Sequence, residues 1–391
     1  WLPRSQPLHT DGASLRTVQW YFDNLLPEET MRVLLSKEAG IKGDDAFALL
    51  QYLGAESAGS LILRACDEPP PAARACLPLA FSELSHRIRS LPRTSLSFNA
   101  PKQMSAAGAQ NKLLVIYRDG QLYEPQGLTP STHILKPEHG SEDYPASVIN
   151  EFAMMRLAKQ VGIDTPAAIR LYVPEPVYLV ERFDRNMDRD GRMMRTHIID
   201  ACQLLNKPRA YKYAAASLDA LRQCIAHCRN KAMARRQLFR WLVFNVLTGN
   251  DDIHLKNLSF AVTEAGIVVC PAYDLLSTAV YHTRAYADER ALWPNVPLMI
   301  PLPGAHTFAE VNRACLVQAG VELGIKQDIA QREIDAIANK LTSEFDTLID
   351  SIEQTNRAEI PAACGAQQAG DLRLLRCIRH IVMKELLEQI A

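Results

Sequence analysis

The segment from Gly249 to Asn257 places two aspartates, a histidine, a lysine and an asparagine in one short stretch. The carboxylate of Asp252 could orient a hydroxyl group and accept its proton, which phosphoryl transfer to a hydroxyl requires. Asn257 could give an amide oxygen to Mg²⁺, a hard cation that takes few protein ligands. Protein kinases space their catalytic aspartate and their metal-binding asparagine in the same way. The alternative is a polar turn in which Asp251 and Asp252 cap a helix.

A second candidate metal ligand is Asp274, in the run Cys270–Ser277 that follows a predicted strand at Ile267–Val269. A kinase places its second magnesium-binding aspartate at a similar point along the chain. Alone, Asp274 would be an ordinary solvated carboxylate at the end of a strand. In this order, and after a β-rich region, Asp252, Asn257 and Asp274 together indicate nucleotide chemistry.

A lysine and a glutamate earlier in the chain could bind phosphate groups. Lys136 ends the predicted strand Thr132–Leu135, where its ammonium group could contact the α- and β-phosphate oxygens. Glu151, on a helix predicted at Ala146–Val161, could hold this lysine as an ion pair. The alternatives are an ordinary surface lysine and a solvated helix position.

Two further segments could surround a nucleotide. In Ser105–Lys112, the small residues Ala107, Gly108 and Ala109 would let main-chain N–H groups approach phosphates closely. The segment fits neither the P-loop pattern nor the dinucleotide fingerprint, so a plain turn is the alternative. The run Tyr178–Arg185 changes from apolar to charged, as a chain crossing between two lobes does, and its main chain could recognise adenine. An edge strand followed by a charged loop is the other interpretation.

His254 lies between Asp252 and Asn257, and we include it among the nucleotide-site residues. It could orient the loop by hydrogen bonding or pack beneath it. We favour this architectural role over proton transfer. Metal ligation together with His197 is not expected, because no third ligand is apparent.

The elements that must position these residues form two groups. Strands are predicted at Leu113–Tyr117, Thr132–Leu135 and Val177–Val180, with one amphipathic helix among them at Ala146–Val161. From about residue 195 the chain is mostly helical, with one isolated strand at Ile267–Val269. The helices are predicted at Leu218–Ile225, Ala232–Leu247, Gln327–Leu341, Glu344–Gln354 and Asp371–Ile390.

We therefore predict an α/β plus all-α chain with a small β-rich lobe and a larger helical lobe. The predicted domains are an N-terminal subdomain at residues 1–65, a β-rich nucleotide-binding lobe at 66–185 and a helical catalytic lobe at 186–391. In the first of these, Asp44 and Asp45 should cap a helix at Phe47–Leu53 that ends at Gly54. The proline-rich stretch Pro69–Pro71 is predicted to be a connector.

The composition is that of a chain with a full apolar core, since 48% of its 391 residues are apolar and 22% are charged. A net charge of −1 gives no general attraction to nucleic acid or to a membrane surface. A local basic face on the last helix, from Arg373, Arg376 and Arg379, stays open, with a solvated stripe as the alternative. The nine cysteines form no CxxC pair, which favours a reduced, cytosolic compartment. We find no signal peptide and no apolar stretch long enough to span a bilayer.

These motifs, in this order, resemble the HipA-type serine/threonine kinases, the toxins of bacterial type II toxin–antitoxin modules. The matching segments are Asn24–Glu28, Leu53–Gly59, Ser105–Lys112, Thr132–Lys136, Asn150–Glu151, Val180–Arg185, Asn250–Asn257 and Tyr273–Ser277. The resemblance covers nearly the whole chain. The chain departs from the family pattern at two places. At Ile198–Asp200 family members often carry a Gln-Glu-Asp run, and at the N-terminus they usually have more β-sheet.

The resemblance implies a two-lobed kinase-like fold and an ATP- and Mg²⁺-dependent protein kinase. Asp252 would be the catalytic base, and Asn257 and Asp274 would hold the magnesium ion. Lys136 would contact the ATP phosphates. Main-chain atoms at Glu181 and Phe183 would hold the adenine.

The resemblance also implies regulation and partners. Ser105 matches an autophosphorylation site, and nearly two added negative charges should expel a phosphate-cradling loop and inhibit the enzyme. The family halts growth and promotes persistence by phosphorylating a protein of the translation machinery, which is glutamyl-tRNA synthetase in the best-known case. Its usual partner is a small helix-turn-helix antitoxin, HipB-like, that binds operator DNA. This implies a cytoplasmic protein, associated with the nucleoid through antitoxin and operator and not with a membrane.

Two other functions stay open at this point. A kinase-like chain could bind nucleotide without transferring phosphate and act only as a co-repressor with its antitoxin. Small-molecule and lipid kinases share the Asp-to-Asn spacing, although the near-neutral charge gives no support for work at a membrane surface.

Overall fold

The computed structural model describes residues 17–64, 75–105, 107–359 and 365–391. The predicted connector Pro69–Pro71 therefore lies outside the described residues. Two compact units are present. The first draws on residues 1–140, 167–210 and 259–264, and the second on residues 141–166, 211–258 and 265–391. The three-part division at residues 65 and 185 stays a prediction.

The first unit is built on a six-stranded sheet. Its strands are β1 (Ala75–Pro78), β2 (Leu113–Arg118), β3 (Gln121–Gln126), β4 (His133–Pro137), β5 (Ala168–Tyr172) and β6 (Pro176–Glu181), and each pairs with its neighbours in the antiparallel sense. The spatial order is β1-β3-β2-β4-β6-β5. β2, β4 and β6 lie where the sequence predicts strands, within one or two residues.

Apolar side chains from alternate positions of these strands form the core of the sheet. Leu113, Val115, Leu135 and Leu179 pack there against Leu84, which belongs to helix α4. The other short elements of this unit are α1 (Thr17–Asp23), α2 (Glu29–Ala39), α3 (Ala46–Leu53), α4 (Phe81–Arg89), β7 (Arg185–Met187), β8 (Met193–Arg195), β9 (Ile198–Asp200), α6 (Ala201–Leu204) and β10 (Ser259–Thr263). β9 pairs with β10, and β7 with β8.

The N-terminal helices have a small core of their own, which includes Leu26, Met31, Leu35 and Leu49. The side chain of Asp45 accepts a hydrogen bond from the main-chain N–H of Ala48 at 3.0 Å. This is the predicted helix cap, and it is confirmed.

A group of buried charges ties distant parts of the first unit together. The carboxylate of Glu56 is fully buried and accepts hydrogen bonds from Lys102 at 2.7 Å, Arg182 at 3.0 Å and Arg185 at 3.1 Å. It also accepts from the hydroxyl of Ser131 at 2.8 Å and from the N–H of that residue. Burial by itself raises the pKa of Glu56, but the three cations outweigh it and lower the pKa to about 2.

The second unit is mainly helical. Its elements are α5 (Ser147–Gln160), α7 (Leu218–His227), α8 (Lys231–Leu247), β11 (Gly266–Val269), α9 (Arg284–Ala287), β12 (Pro297–Leu302), β13 (Ala305–Thr307), α10 (Arg313–Glu322), α11 (Gln327–Glu359), α12 (Gly365–Cys377) and α13 (Lys384–Gln389), with a π-helical stretch at Ile378–Met383. Buried aromatic side chains fill its core, among them Phe239, Phe244 and Phe345. A β-rich unit and a larger helical unit confirm the predicted fold class.

Three details differ from the sequence-based expectation. Helix α5 was expected with the strands but belongs to the helical unit, where it packs on α11 and α12. α11 is one continuous helix where two were predicted, because no residue at 341–344 breaks it. The hairpin β12–β13 was not predicted, since Pro297, Pro301 and Pro303 interrupt its pattern.

The arginines at the end of the chain have intramolecular partners. Arg373 lies over the ring of Tyr286 and donates to the carbonyl of Ala285, and Arg379 pairs with Asp346 at 2.8 Å. The described helices include none that is long and apolar enough to cross a membrane.

Replacing Glu56 by Gln should make unfolding less sensitive to acid. The pKa of the carboxyl is about 4.3 in an unfolded chain and about 2 in the folded one. Its stabilising effect is thus present above pH ~4.3 and disappears as the pH falls toward the folded value. The shift corresponds to about 3 kcal/mol at neutral pH, of which roughly half is lost by pH ~3.

Denaturant unfolding at neutral and acidic pH measures this difference. Wild type should lose more free energy of unfolding than Glu56→Gln over the same pH change, while the exposed control Glu264→Gln behaves as wild type. If the free energy of unfolding changed equally with pH in wild type and in Glu56→Gln, the low pKa assigned to Glu56 would be contradicted.

Candidate active site

The chain turns sharply where helix α8 ends, and this turn begins the candidate catalytic loop. Gly249 has a φ of +68°, and a Cβ atom there would lie 2.4 Å from the Cγ1 of Val382. Only glycine fits such a position without displacing the neighbour. The side-chain amide of Asn250 donates to the Oδ1 of buried Asn245 at 2.7 Å, and its own Oδ1 accepts from the N–H of Asp252 at 3.1 Å. The turn therefore fixes the main chain at Asp252.

Asp252 and Asn257 come together because the loop folds back on itself. The side-chain Nδ2 of Asn257 donates to the carbonyl oxygen of Asp252 at 2.9 Å. Tyr213 donates its hydroxyl to the Oδ1 of Asp252 at 3.0 Å, and the ring of His254 packs edge-on against Tyr213 with 4.9 Å between centroids. The main chain of Lys212 also bonds the loop, since its carbonyl accepts from the N–H of Leu255. His254 is buried, and its packing is that of an architectural residue.

Asp274 follows β11 and has a φ of +57°, a left-handed conformation that non-glycine residues adopt at some cost. Two contacts hold the chain on either side of it. Tyr273 donates its hydroxyl to the carbonyl of Lys256 at 2.7 Å. Asn150, on α5, donates to the carbonyl of Ser277 at 3.0 Å and accepts from the N–H of Ser277 at 2.8 Å. These contacts hold the segment that carries Asp274 against the catalytic loop.

The neighbouring carboxylates change the pKa of Asp252. The pKa of Asp252 is raised to about 7, first by burial and then by the negative charge of Asp274, with a smaller contribution from Asp251. The hydrogen bond from Tyr213 opposes this rise. His282 lies 3.4 Å from Asp251, and this contact raises the pKa of the imidazole. The charges of Asp274 and Asp251 therefore make the electrostatic potential at Asp252 more negative.

The donor atoms suit a hard divalent cation. Because the amide nitrogen of Asn257 is turned to the carbonyl of Asp252, its oxygen points the other way, and an amide oxygen with the Asp274 carboxylate is a ligand pair that Mg²⁺ accepts. Within the described residues, no three His, Cys, Asp or Glu side chains form a ready-made metal cage. Magnesium does not need one, because it usually keeps several waters.

The predicted nucleotide-binding residues Lys136, Glu181 and Phe183 lie in the first unit. Lys136 is buried on β4, with its Nζ 5.8 Å from the ring centroid of Tyr178 on β6. Glu181 ends β6, and its N–H donates to the carbonyl of Ala167. An adenine contact at Glu181 would thus use its carbonyl oxygen. Phe183 is half-buried just beyond the strand.

The small-residue segment also lies in the first unit, apart from Ala106, which is outside the described residues. Ser105 is buried, and its hydroxyl donates to the carbonyl of Leu25. Ala107 and Ala109 are half-buried, and Ala107 accepts a hydrogen bond from the Nζ of Lys112 at 2.6 Å. Gly108 has a φ of +109°.

Each unit therefore brings together its own set of predicted residues. Asp252, His254, Asn257 and Asp274 meet in the second unit, where the candidate base and metal ligands converge. The predicted ion pair between Lys136 and Glu151 joins residues of different units and stays a prediction.

Sequence reasoning missed the residues that hold the loop in place. Asn150 belongs to a matching segment but was given no role, and Asn245 and Tyr213 were not named, yet these three residues fix the main chain around both acids. Asn150 and Asn245 are fully buried on otherwise apolar helix faces. A polar residue in an apolar helix stripe was the available signal, since such a group must find a partner.

Comparisons with known proteins show which family the chain resembles. A family model described as the HipA-like C-terminal domain matches residues 104–345, and the HipA N-terminal domain model matches residues 3–64. The putative kinase Y4mE of Sinorhizobium fredii is 32% identical over 366 residues, covering 90% of this chain and 85% of that protein. The serine/threonine-protein kinase toxin HipA of Shewanella oneidensis is 32% identical over 299 residues, covering 71% of this chain and 67% of the relative.

A solved structure shows the same likeness. It is the Shewanella oneidensis MR-1 complex of HipA, HipB and operator DNA, which matches with a TM-score of 0.74 and 25% identity, covering 95% of this chain and 87% of that one. The kinase-like two-lobed fold class is thereby confirmed.

Replacing Asn150 by Ala should destabilise the second unit and loosen the Asp274 segment. The change removes the partners of both main-chain groups of Ser277, which are buried, and a buried unsatisfied group costs about 1–3 kcal/mol. Denaturant unfolding measures the loss, and hydrogen exchange at the Ser277 amide locates it.

A matched control is Asn186→Ala, which removes one exposed side-chain bond to Thr196 and should cost less than about 0.5 kcal/mol. An Asn150→Ala variant as stable as this control, with unchanged exchange at Ser277, would disprove the assigned role.

Proposed function

The chain belongs to the HipA family, and from that premise we propose that it is an ATP- and Mg²⁺-dependent protein serine/threonine kinase that acts as a growth-arresting toxin. The observation that carries the proposal is the loop of the second unit, where Asp252 is held by Tyr213 and Asn257 folds back on it. Asp274 lies close enough to repel Asp252 electrostatically. We assign the base to Asp252 and the two metal ligands to Asn257 and Asp274, which lie on two neighbouring segments of the second unit.

The chemical step uses these groups in a defined order. The oxygen of a substrate serine or threonine attacks the γ-phosphorus of ATP, and its proton passes to the carboxylate of Asp252. The bond from the γ-phosphorus to the bridging oxygen breaks, and ADP leaves with that electron pair. Because Tyr213 donates to Oδ1 of Asp252, the proton acceptor is Oδ2. A magnesium ion held by Asn257 and Asp274 would offset the phosphate charge and favour the ionised base.

The first unit would hold the nucleotide. We assign Lys136 to the ATP phosphates, with Glu151 as its ion-pair partner, and main-chain atoms of Glu181 and Phe183 to the adenine. The segment Ala107–Ala109 would approach the phosphates. His254 would pack beneath the loop that carries Asp252. The burial of Lys136 on β4 beside Tyr178 supports this role.

The biological role follows from the family. We assign the substrate to the translation machinery, with glutamyl-tRNA synthetase as the first candidate to test, and growth arrest and persistence as the outcome. A HipB-like antitoxin and operator DNA are the proposed partners, supported by the solved HipA, HipB and operator DNA complex that this chain matches. The proposed location is the cytoplasm, with nucleoid association through that complex.

Replacing Asp252 or Asp274 by Asn should abolish phosphoryl transfer without unfolding the chain. Asn cannot accept the proton and carries no charge for Mg²⁺, so we expect a loss of at least about 10²–10⁴-fold. The measurement is the initial rate of transfer from γ-labelled ATP, with Mg²⁺, to the protein itself and to bacterial lysate proteins. The control is Asp219→Asn, an exposed residue on α7.

Three results would count against the proposal. Full activity in Asp252→Asn would remove its assigned role as base. ATP binding without any transfer by wild type would favour the co-repressor alternative, and label found only in lipids or small molecules would favour a different class of kinase.

A Ser105→Ala variant should keep transfer to other proteins and lose phosphorylation of its own loop. In the described structure the Ser105 hydroxyl is buried and donates to a carbonyl, which a phosphoserine cannot do. Phosphorylated Ser105 must therefore leave its site, and wild-type activity should decline as self-phosphorylation proceeds. Phosphopeptide mapping against time checks both expectations, and a phosphate that persists on this peptide in Ser105→Ala would overturn them.

A further inference from the structure

The segment that carries Ser105 is fastened to the N-terminal part of the first unit by main-chain contacts. The N–H of Ser105 donates to the carbonyl of Glu56 at 2.8 Å, and the Ser105 hydroxyl donates to the carbonyl of Leu25. The N–H of Glu28 donates to the carbonyl of Gly108 at 3.1 Å. These bonds run from Leu25, Glu28 and Glu56 to one short stretch of chain. Ser105 can leave only if these hydrogen bonds break.

A small cavity lies between α2 and the segment, lined by Met31, Leu35, Met104, Gly108 and Lys112. Side chains that face a void forfeit part of their dispersion contacts. The hydrogen bonds and charges at the edge of the segment therefore contribute to how firmly it is held.

Lys102, just before Ser105 in the chain, provides the charged link. Its side chain is 3% exposed, and its Nζ donates to the Oε2 of Glu56 at 2.7 Å and to the carbonyl of Thr129 at 2.9 Å. Glu56 thus holds the segment twice, through its carbonyl to Ser105 and through its carboxylate to Lys102. A buried, charge-assisted bond of this kind is stronger than a neutral one.

The charge balance of the cluster makes Lys102 the member that can leave. Two acids, Glu56 and Asp184, face Lys102, Arg182 and Arg185, with Arg195 at 3.8 Å from Glu56. Without Lys102, the two acids still balance the two nearest arginines.

The arginines are also fixed more firmly than the lysine. Arg182 binds Asp184 through two nitrogens, at 3.0 and 2.8 Å, and Arg185 donates to the carbonyl of Gly59. Burial lowers the pKa of Lys102, and the positive charges of Arg195 and Arg185 add to this, while Glu56 opposes it. Release of Lys102 would leave the rest of the cluster intact.

We propose that the Lys102–Glu56 ion pair is a releasable latch that sets how often the Ser105 segment leaves the N-terminal part of the first unit. Lys102 and Glu56 are positioning residues, since they act through the loop. The consequence for catalysis rests on the proposed function: the closed latch keeps the segment in place for ATP, and the open latch exposes Ser105. In self-phosphorylation the Ser105 oxygen then bonds to the γ-phosphorus of ATP, its proton passes to Asp252 and ADP leaves.

The test uses the full chain and three variants. Lys102→Met removes the charge and keeps a side chain of similar length, while Lys102→Arg keeps the charge. Arg87→Met is the control, because it breaks a different, slightly more exposed ion pair of the same unit, with Glu124 at 2.7 Å. Hydrogen exchange over residues 103–108 is measured first, without nucleotide. ATP affinity and the rate of Ser105 phosphorylation follow.

Lys102→Met should raise the exchange rate of these amides by about tenfold or more, because the segment opens more often. It should also weaken ATP binding and increase the Ser105 phosphorylation rate at saturating ATP, a split that general destabilisation does not produce. Lys102→Arg should restore all three values, and Arg87→Met should change none of them while lowering the unfolding midpoint.

Exchange in Lys102→Met that matches wild type, or equal acceleration in Arg87→Met, would overturn the latch. This readout does not depend on catalysis. If wild type binds no ATP and transfers no phosphate, the proposed function fails, and the exchange data still decide on the latch.

Discussion

A polar group removed from water must find a partner, and this requirement shapes the irregular segments of both units. The segments that carry the candidate chemistry are loops, which have no ladder of repeating hydrogen bonds. Each is held by a buried polar side chain from a neighbouring element. In the first unit that side chain is Glu56, and in the second it is Asn150 with Asn245. Removing such a side chain disturbs main chain that is distant in sequence but adjacent in space.

The same requirement explains how strained conformations persist in the second unit. Asp274 has a left-handed backbone without being glycine, and Gly249 makes a turn against Val382 that no other residue fits. Such conformations cost free energy and survive only where the surroundings over-determine them. Here the two-way bond between Asn150 and Ser277 supplies part of that constraint, together with Tyr273 on the Lys256 carbonyl. The strain is thus located at Asp274, to which we assign magnesium binding.

Local patterns predicted the elements that depend on local physics. Asp45 caps α3, β2 follows a short apolar run, and α8 follows its apolar stripe, since these features need only neighbours in sequence. The grouping of α5 with the helices could not be predicted, because its partners α11 and α12 lie almost two hundred residues away. The same holds for the site. Motif spacing predicted the acids and Asn257, but the role of Asn150 depends on a contact with Ser277 that no local pattern encodes.

Charge imbalance is common to the two functional regions and has the same consequence in each. In the second unit, burial and then the negative charges of Asp274 and Asp251 raise the pKa of Asp252. The cluster of the first unit gathers more cations than acids, and Lys102 pairs with one acid, Glu56, where Arg182 and Arg185 each pair with two. A buried group that is incompletely compensated changes state at the least cost, by taking up a proton, binding a counter-ion or moving away. The charge imbalance therefore identifies two residues that can change state with the least reorganisation of their neighbours. For Asp252 the change is uptake of a proton, and for Lys102 it is movement out of the cluster.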